Sequence, residues 1–278
     1  MNDIQRAAEH IAAADAILIG ASNGLSIAEW IHLFAMNQAF DDVFGDFKKA
    51  YGVRSIFQGM TFYWPSEEVK WAFWSRLIHR YCQEYRKSSV MDDLLAIVRD
   101  TPYFIVTSNG EGHFEQAGFD KDKIFEVEGT WQTMQCASPC HDVVYPALEW
   151  MERMAAADRD GVIPTELIPR CPRCGGPMTV HFAVDPHFIP DKDGQRRLTA
   201  FLQRYHDRKL AILELGIGWR NQLIKKPLME LAAREPQAFY VTINLGEVYI
   251  ADAIAHTSIG IDGSLSDVLA QMRKVMER

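Results

Sequence analysis

The chain has 278 residues, of which 48% are hydrophobic and 24% charged, and its formal net charge is −8. This length suffices for one large core, or for one core with a smaller lobe. The acidic balance argues against nucleic-acid binding, because proteins that bind phosphate backbones usually carry a basic excess. No apolar run approaches the roughly 20 residues that span a bilayer, and the polar N-terminus lacks the apolar segment of a signal peptide. We therefore expect a cytoplasmic protein with neither nucleic-acid nor membrane partners.

Helices and strands are predicted to alternate along the chain, which is typical of a parallel α/β sheet. Predicted strands lie at 16–20, 103–107, 124–127, 210–215, 239–243 and 257–261. Predicted helices lie at 2–14, from about Ser26 to Gln38, and at 91–100, 109–118, 197–207, 226–234 and 265–276. The segment 130–190 is expected to be rich in loops.

The segment 40–90 is unusually rich in aromatic residues. After the capping residue Ser66, Val69, Phe73, Leu77 and Tyr81 repeat every fourth residue, as on one face of a helix. Two interpretations are open, the core of a helical lobe or a platform on which bases stack. The core is favoured, because basic residues do not alternate with the rings as single-strand binding needs.

Four of the five cysteines form two close pairs, Cys136-x-x-x-Cys140 and Cys171-x-x-Cys174. Such pairs can reach a tetrahedral Zn²⁺ of the four-cysteine type, which leaves no open position and is therefore structural. The alternative is four unpaired buried thiols, and the clustering argues against it. Reduced cysteines fit the cytoplasm. Cys82 is interpreted as a small core residue and His141 as a neighbour of the metal site.

A glycine-containing turn follows the first predicted strand, in the stretch Ala16-Ile-Leu-Ile-Gly-Ala-Ser-Asn-Gly-Leu-Ser26. Gly20 and Gly24 would let the backbone approach a pyrophosphate, and Ser22 and Ser26 offer hydroxyl donors. The full dinucleotide-binding fingerprint is absent, so an ordinary tight turn between strand and helix is the alternative.

Polar residues also follow two later strands, in Thr107-Ser-Asn109-Gly-Glu111 and in Glu128-Gly129. In open α/β sheets ligands bind at the carboxyl ends of the strands, so these stretches indicate one pocket. Taken singly, Asn109 is equally compatible with a helix cap and Glu128 with a solvated turn.

In this order the motifs resemble the sirtuin family, whose members use NAD to act on modified proteins. Thr107-Ser-Asn109-Gly-Glu111 resembles the family's Thr-x-Asn-x-Asp motif, and Ile243-Asn244 matches its Ile-Asn pair. Gly216-Ile-Gly218 falls where the family has Gly-Thr-Ser, and Glu128 stands where it has its catalytic histidine. The cysteines match its structural zinc site.

The differences between this chain and the usual sirtuin motifs resemble those of the macrodomain-linked class M sirtuins of microbes. That subgroup lacks the usual histidine and has Gln-Cys-Ser-x-Pro-Cys-His at its first cysteine pair, close to Gln135-Cys-Ala-Ser-Pro-Cys-His141 here. The subgroup usually has glutamine at the base position, so Glu128 departs from it as well. It is associated with mono-ADP-ribosylation of lipoyl carrier proteins.

The expected fold is a Rossmann-like parallel sheet with a smaller lobe made of a structural zinc module and a helical insertion. The expected boundaries are 1–39, 91–129 and 195–278 for the NAD-binding domain, 40–90 for the helical insertion, and 130–194 for the zinc module. The residues expected to bind NAD are Gly20, Ala21, Ser22, Gly24, Leu25, Asn109, Glu111, Gly216, Gly218, Asn244 and Leu245.

Asn109, Glu128 and Glu111 are the expected catalytic residues. Deacylation by the family's route needs a base, and an ordinary glutamate is a weak base at pH 7 unless burial raises its pKa. Glu128 at this position therefore favours ADP-ribosyl transfer or NAD hydrolysis over deacylation. The open alternatives are a protein deacylase, an NAD hydrolase and a non-enzymatic sensor of NAD or ADP-ribose. The expected partners are a protein acceptor, with a lipoylated carrier protein as the candidate, and a macrodomain hydrolase acting in the same pathway.

Overall fold

A six-stranded parallel sheet forms the centre of the larger part of the molecule, and a second, antiparallel sheet has three strands. The computed structural model describes residues 2–277. The strands in chain order are β1 (Ala16–Ala21), β2 (Tyr103–Thr107), β3 (Ile124–Glu126), β4 (Gly129–Cys136), β5 (Val144–Pro146), β6 (Met178–Phe182), β7 (Leu210–Leu215), β8 (Phe239–Asn244) and β9 (Ser258–Asp262). The parallel sheet has the strand order β3-β2-β1-β7-β8-β9, and the antiparallel sheet has the order β5-β4-β6.

Helices cover both faces of the parallel sheet. In chain order they are α1 (Asp3–Ala12), α2 (Asn23–Ala28), α3 (Gln38–Tyr51), α4 (Ile56–Met60), α5 (Glu67–Ile78), α6 (Ser89–Val98), α7 (His113–Gln116), α8 (Leu148–Ala157), α9 (Lys192–Arg204), α10 (Gln222–Arg234) and α11 (Leu265–Met276). Among residues 2–277, no helix has the length and apolar character needed to cross a membrane.

Strand β1 shows why this sheet is buried on both faces. Its apolar run Ala-Ile-Leu-Ile is buried throughout, and successive side chains point to opposite faces. Ile17 and Ile19 join the core formed with α1, α6 and α11. Leu18 joins the opposite core, with α9 and α10. Because β1 pairs with β2 on one side and β7 on the other, the strand order reverses at β1, and such a switch point opens a crevice at the strand ends.

The smaller lobe has one continuous core shared by the helical insertion and the cysteine-containing segment. Phe44, Trp71 and Phe73 of the insertion belong to the same buried cluster as Trp131 and Met151. The core interpretation of the aromatic segment is therefore confirmed for most of its rings. Phe57 and Tyr63 are exceptions, since both are exposed.

Two predicted helices are shorter in the structure. The helix expected at 109–118 is only α7, since Gly112 just before it has a φ of 73°.

The helix expected from Ser26 to Gln38 is the short helix α2 followed by an irregular segment, 29–37. Trp30 has a φ of 71°, which cannot continue a right-handed helix. A new helix, α3, then starts at Gln38, after the cap residue Asn37, whose side chain accepts a hydrogen bond from the Phe40 amide.

The segment 130–190 is rich in loops, as expected, but it also contains most of strand β4, strands β5 and β6 and helix α8, none of which was predicted. The pairing of β4 with β6 shifts register between Gly129 and Met134, so apolar and polar residues do not alternate regularly along β4. This irregularity removed the pattern by which a half-buried strand is recognised.

Candidate active site

A cleft of about 990 Å³ lies at the carboxyl ends of β1, β2, β7 and β8, where the strand order reverses. Most of the predicted site residues line it, although they come from segments far apart in the chain. The predicted residues on its walls are Ser22, Gly24, Asn109, Glu111, Glu128, Gly216, Gly218, Asn244 and Leu245. The structure thus brings the catalytic candidates and most of the cofactor-binding candidates together.

Gly24 and Gly216 hold two walls of this cleft in direct backbone contact. The Gly24 amide donates to the Gly216 carbonyl over 2.9 Å. A Cβ atom on Gly24 would lie 2.5 Å from the Gly216 Cα, and Gly216 has a φ of +60°. Both positions therefore need glycine, one for close approach and one for its left-handed backbone.

Three of the predicted cofactor-binding residues do not line the cleft. Gly20 lies within β1, and a Cβ atom there would meet the Leu228 side chain of α10 at 2.2 Å. Ala21 and Leu25 are buried in the core beneath the cleft. Gly20 is glycine because a helix packs against it, so the part of the turn that lines the cleft is Ser22 to Gly24.

A cluster of three polar side chains, Ser22, Ser108 and Asn221, lies at the inner wall of the cleft. The Asn221 amide donates to the hydroxyl oxygens of Ser22 over 2.8 Å and Ser108 over 3.0 Å. The Ser108 hydroxyl donates to Ser22 over 3.1 Å, so the Ser22 hydroxyl keeps its own proton to donate elsewhere. Ser108 and Asn221 were missed from the sequence, because Ser108 stands at the unspecified second position of the asparagine motif and Asn221 in no recognisable motif.

Two buried polar atoms in the cleft have no hydrogen-bond partner among residues 2–277. They are the side-chain nitrogen of Asn109 and the side-chain oxygen of Asn23. Both residues line the cleft. Because nearly all buried polar groups in proteins are hydrogen-bonded, two such atoms in one cavity indicate a place where a polar ligand supplies the missing partners.

Glu111 is buried at the inner end of the cleft, on the loop after β2. Its carboxylate accepts a hydrogen bond from the Ser26 hydroxyl over 2.7 Å. Burial raises the pKa of Glu111, whereas the neighbouring His113 and the Ser26 hydrogen bond lower it. The Gln132 side chain donates to the Glu111 carbonyl over 3.0 Å and fixes the backbone of the loop.

Glu128 lies half-buried on the opposite wall, between β3 and β4. Its carbonyl accepts a hydrogen bond from the Ala183 amide over 2.9 Å, which ties it to the end of β6. Burial raises the pKa of its carboxyl above the usual range. Of the described residues that line the cleft, none is a histidine. The site therefore holds carboxylates and amides but no imidazole.

An apolar wall, which the sequence did not reveal, closes one end of the cleft. Phe34 and Phe57 lie there with their ring centroids 4.9 Å apart. Both are substantially exposed, although they line a cavity. This wall comes from the irregular segment 29–37 and helix α4, so the short α2 helix shapes the site.

The four paired cysteines converge on one point of the smaller lobe, within 4.8 Å of one another. The sulfurs of Cys136 and Cys174 are 3.7 Å apart, and those of Cys140 and Cys171 are 3.6 Å apart. A tetrahedral Zn²⁺ with Zn–S bonds of about 2.3 Å needs sulfurs roughly 3.8 Å apart. The cluster therefore fits zinc. The His141 Nδ1 lies 3.0 Å from the Cys140 sulfur, which makes it a hydrogen-bonding neighbour.

The chain has the fold of the solved Sir2 structures, a Rossmann-like sheet with a tetracysteine lobe. Solved Sir2 structures cover nearly the whole chain. They include Sir2Af2 bound to a myristoylated histone peptide (TM-score 0.57, 18% identity, 99% of this chain and 97% of that one). A Sir2 homologue in complex with ADP-ribose has a TM-score of 0.62 at 12% identity and covers 100% of this chain and 97% of its own. These likenesses confirm the predicted fold.

Curated relatives are similar over most of the chain. A protein ADP-ribosyltransferase of Staphylococcus aureus is 29% identical over 261 residues, which are 92% of this chain and 82% of that protein. A “Probable bifunctional ADP-ribose hydrolase/ADP-ribosyltransferase” of Fusarium oxysporum f. sp. cubense is 27% identical over 241 residues. That match spans 82% of this chain but only 40% of the fungal protein. No family model matches the chain.

Proposed function

We propose that the protein cleaves the nicotinamide–ribose bond of NAD and transfers mono-ADP-ribose to a protein acceptor. The observation that carries this proposal is the chemistry of the cleft, which presents Asn109, Glu111 and Glu128 but no histidine among its described lining residues. The activity named for the Staphylococcus relative supports the same reaction.

Each side chain of the cleft suits one part of this substrate. Ser22, whose hydroxyl proton is available, and Arg220, which lines the cleft, would bind the pyrophosphate. The unpartnered Asn109 amide would orient the ribose hydroxyls, and Glu111 would face the nicotinamide amide. Gly216, Gly218, Asn244 and Leu245 would contact the adenosine half.

Bond cleavage requires little nucleophilic push, because nicotinamide leaves as a neutral molecule and the ribose becomes an oxocarbenium-like centre. Glu128 has two tasks in this proposal. As a carboxylate it stabilises the developing cation, and it then accepts the proton that the acceptor loses as its new bond to ribose forms. The raised pKa of Glu128 makes it a better base than an ordinary glutamate. NAD and the acceptor thus give ADP-ribosylated acceptor, nicotinamide and one proton.

A lipoylated carrier protein is the candidate acceptor in this proposal. We place the reaction in the cytoplasm, where zinc-binding cysteines stay reduced. In this scheme a macrodomain hydrolase removes the modification. The apolar wall at Phe34 and Phe57 could accommodate the aliphatic arm of such an acceptor.

Following labelled NAD tests the proposal. The protein is incubated with NAD labelled in the adenosine half, with and without lipoylated carrier protein and other candidate acceptors. Label on a protein is the expected result. Free ADP-ribose alone would indicate a hydrolase, and efficient release of acetyl-ADP-ribose from an acetylated peptide would indicate a deacylase. Absence of any NAD turnover, with NAD bound, would indicate a sensor.

Two neighbouring glutamates provide a matched pair of variants. Glu128 lines the cleft, whereas Glu126 lines a separate cavity on the other side of the same segment. Glu128→Gln is expected to slow ADP-ribosyl transfer about 10²-fold or more, the usual loss of an electrostatic or general-base contribution. Glu126→Gln is expected to leave the rate within about threefold of the parent. Equal losses in both variants would contradict the assignment of Glu128.

A further inference from the structure

A chain of buried charged side chains, Glu29, His113 and Glu111, lies behind the inner end of the cleft. Each is no more than 6% exposed. Glu29 follows α2, Glu111 belongs to the loop that leads into α7, and His113 is the first residue of that helix. The proposed reaction assigns a role to Glu111 only, so the other two call for an explanation.

The hydrogen bonds of His113 define its protonation state. Its Nε2 lies 2.6 Å from the Tyr81 carbonyl oxygen, which can only accept, so Nε2 carries a hydrogen. Its Nδ1 lies 2.9 Å from a Glu29 carboxylate oxygen. With both ring nitrogens facing acceptors, the imidazole is held as a cation. Burial alone would lower the pKa of His113, but the Glu29 hydrogen bond and the charges of Glu111 and Glu29 raise it.

Glu29 is itself held on its other carboxylate oxygen. That oxygen accepts hydrogen bonds from the Tyr85 hydroxyl over 2.9 Å and the Ser88 hydroxyl over 2.7 Å. The Tyr85 ring also stacks on His113, with centroids 3.8 Å apart. Three segments of the chain, at 29, 81–88 and 111–113, therefore meet at this one ion pair.

The imidazolium has a direct consequence for Glu111. The pKa of that carboxyl is raised, chiefly by burial and also by the charge of Glu29, and the positive charge of His113 is the largest influence opposing this rise. The other titratable groups whose charges are coupled to that of Glu111 are negative or neutral, so they do not stabilise its carboxylate. They are Glu29, Cys82, Tyr85 and Glu126.

We propose that Glu29 and His113 form a positioning pair that holds the loop carrying Glu111 and places a positive charge behind that carboxylate, at the inner end of the cleft. The inference rests on the proposed function for what Glu111 then does with NAD. It assigns to the pair no contact with the substrate. His113 acts through Glu111, and Glu29 acts through His113.

The test compares His113→Gln with the double variant His113→Gln/Glu29→Gln, in which both charges are removed and hydrogen bonding between the two side chains is retained. We expect His113→Gln to lower the rate of NAD cleavage at saturating NAD about tenfold at pH values on the acidic limb of the pH–rate profile, with the KM for NAD changed less than about threefold. The acidic limb of the pH–rate profile is expected to move up by about one pH unit. The double variant is expected to recover the thermal midpoint but not the rate. The exposed His256→Gln serves as the control with unchanged values.

A coupling measurement separates positioning from a structural role. In a Glu111→Gln background, adding His113→Gln is expected to change the rate less than about twofold, because the group it acts through is gone. A further tenfold loss in that background, or recovery of the rate with the thermal midpoint in the double variant, would overturn the proposal.

The charge state of His113 can be measured even if the protein does not cleave NAD. In protein with labelled histidine, NMR is expected to show a His113 pKa above 6.5, the ordinary value for histidine. Titration of His113 at or below that value in the wild type would refute the positioning pair. Failure of NAD cleavage together with a high His113 pKa would refute the proposed function alone.

Discussion

Replacing Gly24 with alanine tests whether the contact between Gly24 and Gly216 fixes the geometry of the cleft. The added Cβ would lie 2.5 Å from the Gly216 Cα and 2.6 Å from its carbonyl oxygen, whereas ordinary contacts begin at 3.4 Å. The two loops must therefore separate by about 0.9 Å, and neither partner is a side chain that could rotate away. A misplacement of about 1 Å costs on the order of 10²-fold in rate, and overpacking costs about 1–3 kcal/mol of stability.

The assay measures the initial rate of NAD cleavage together with urea unfolding, so that loss of activity is not confused with loss of fold. Gly45→Ala is the matched control. Gly45 lies within α3, and a Cβ there meets nothing within 4 Å. That variant is expected to gain about 0.4–1 kcal/mol and keep full activity. A rate for Gly24→Ala within about threefold of the parent would refute the claim that this contact sets the cleft.

Three further predictions concern the cysteine cluster of the smaller lobe, the buried ion pair between Lys225 and Glu214, and the pH dependence of stability. Removal of the metal by a strong chelator, or Cys174→Ser, is expected to lower the thermal midpoint, because the four sulfurs lose their common ligand; an unchanged midpoint would contradict a structural zinc site. Lys225→Met is expected to cost about 3–5 kcal/mol in urea unfolding, because the buried Glu214 carboxylate 2.6 Å away loses its counter-charge, and Lys225→Met/Glu214→Gln should recover part of it. Burial, with the charges of nearby carboxylates, raises the pKa of Glu126 to about 8, so the folded state holds a proton that the unfolded state releases near 4.5. Stability contributed by Glu126 should therefore fall as pH rises from about 4.5 to 8, and Glu126→Gln should flatten that dependence in unfolding measured across pH.

The features that could be predicted from the sequence are those set by short-range patterns. Strands β1, β7 and β8 are buried apolar runs, and apolar runs ending in glycine or amide residues are recognisable without knowledge of the fold. The cysteine pairs are equally local. The cleft residues Asn109 and Glu128 followed because parallel strands place their carboxyl ends along one edge.

The features that could not be predicted depend on residues far apart in the chain. Ser22 meets Ser108 across 86 positions and Asn221 across 199, and nothing local distinguishes these residues from other small polar ones. The same holds for Glu29 and His113, which are 84 positions apart. Gly20 was assigned to the cofactor site for a related reason. A glycine that leaves room for a packed helix cannot be told in sequence from one that leaves room for a phosphate group.

The two carboxylates of the cleft have different surroundings, and this difference bears on what each can do. The Glu111 carboxylate accepts a hydrogen bond from Ser26, and the positive charge of His113 partly offsets its negative charge. Glu111 is therefore suited to hold the substrate in one orientation. Burial alone shifts the pKa of Glu128, with no charged neighbour contributing among the residues described. The pKa of such a carboxyl depends on what lies beside it, because an acceptor that buries the carboxyl further raises its pKa again. In the proposed reaction, Glu128 would therefore become a stronger base when the acceptor is in place, which would tie deprotonation of the acceptor to its arrival and favour transfer over reaction with water.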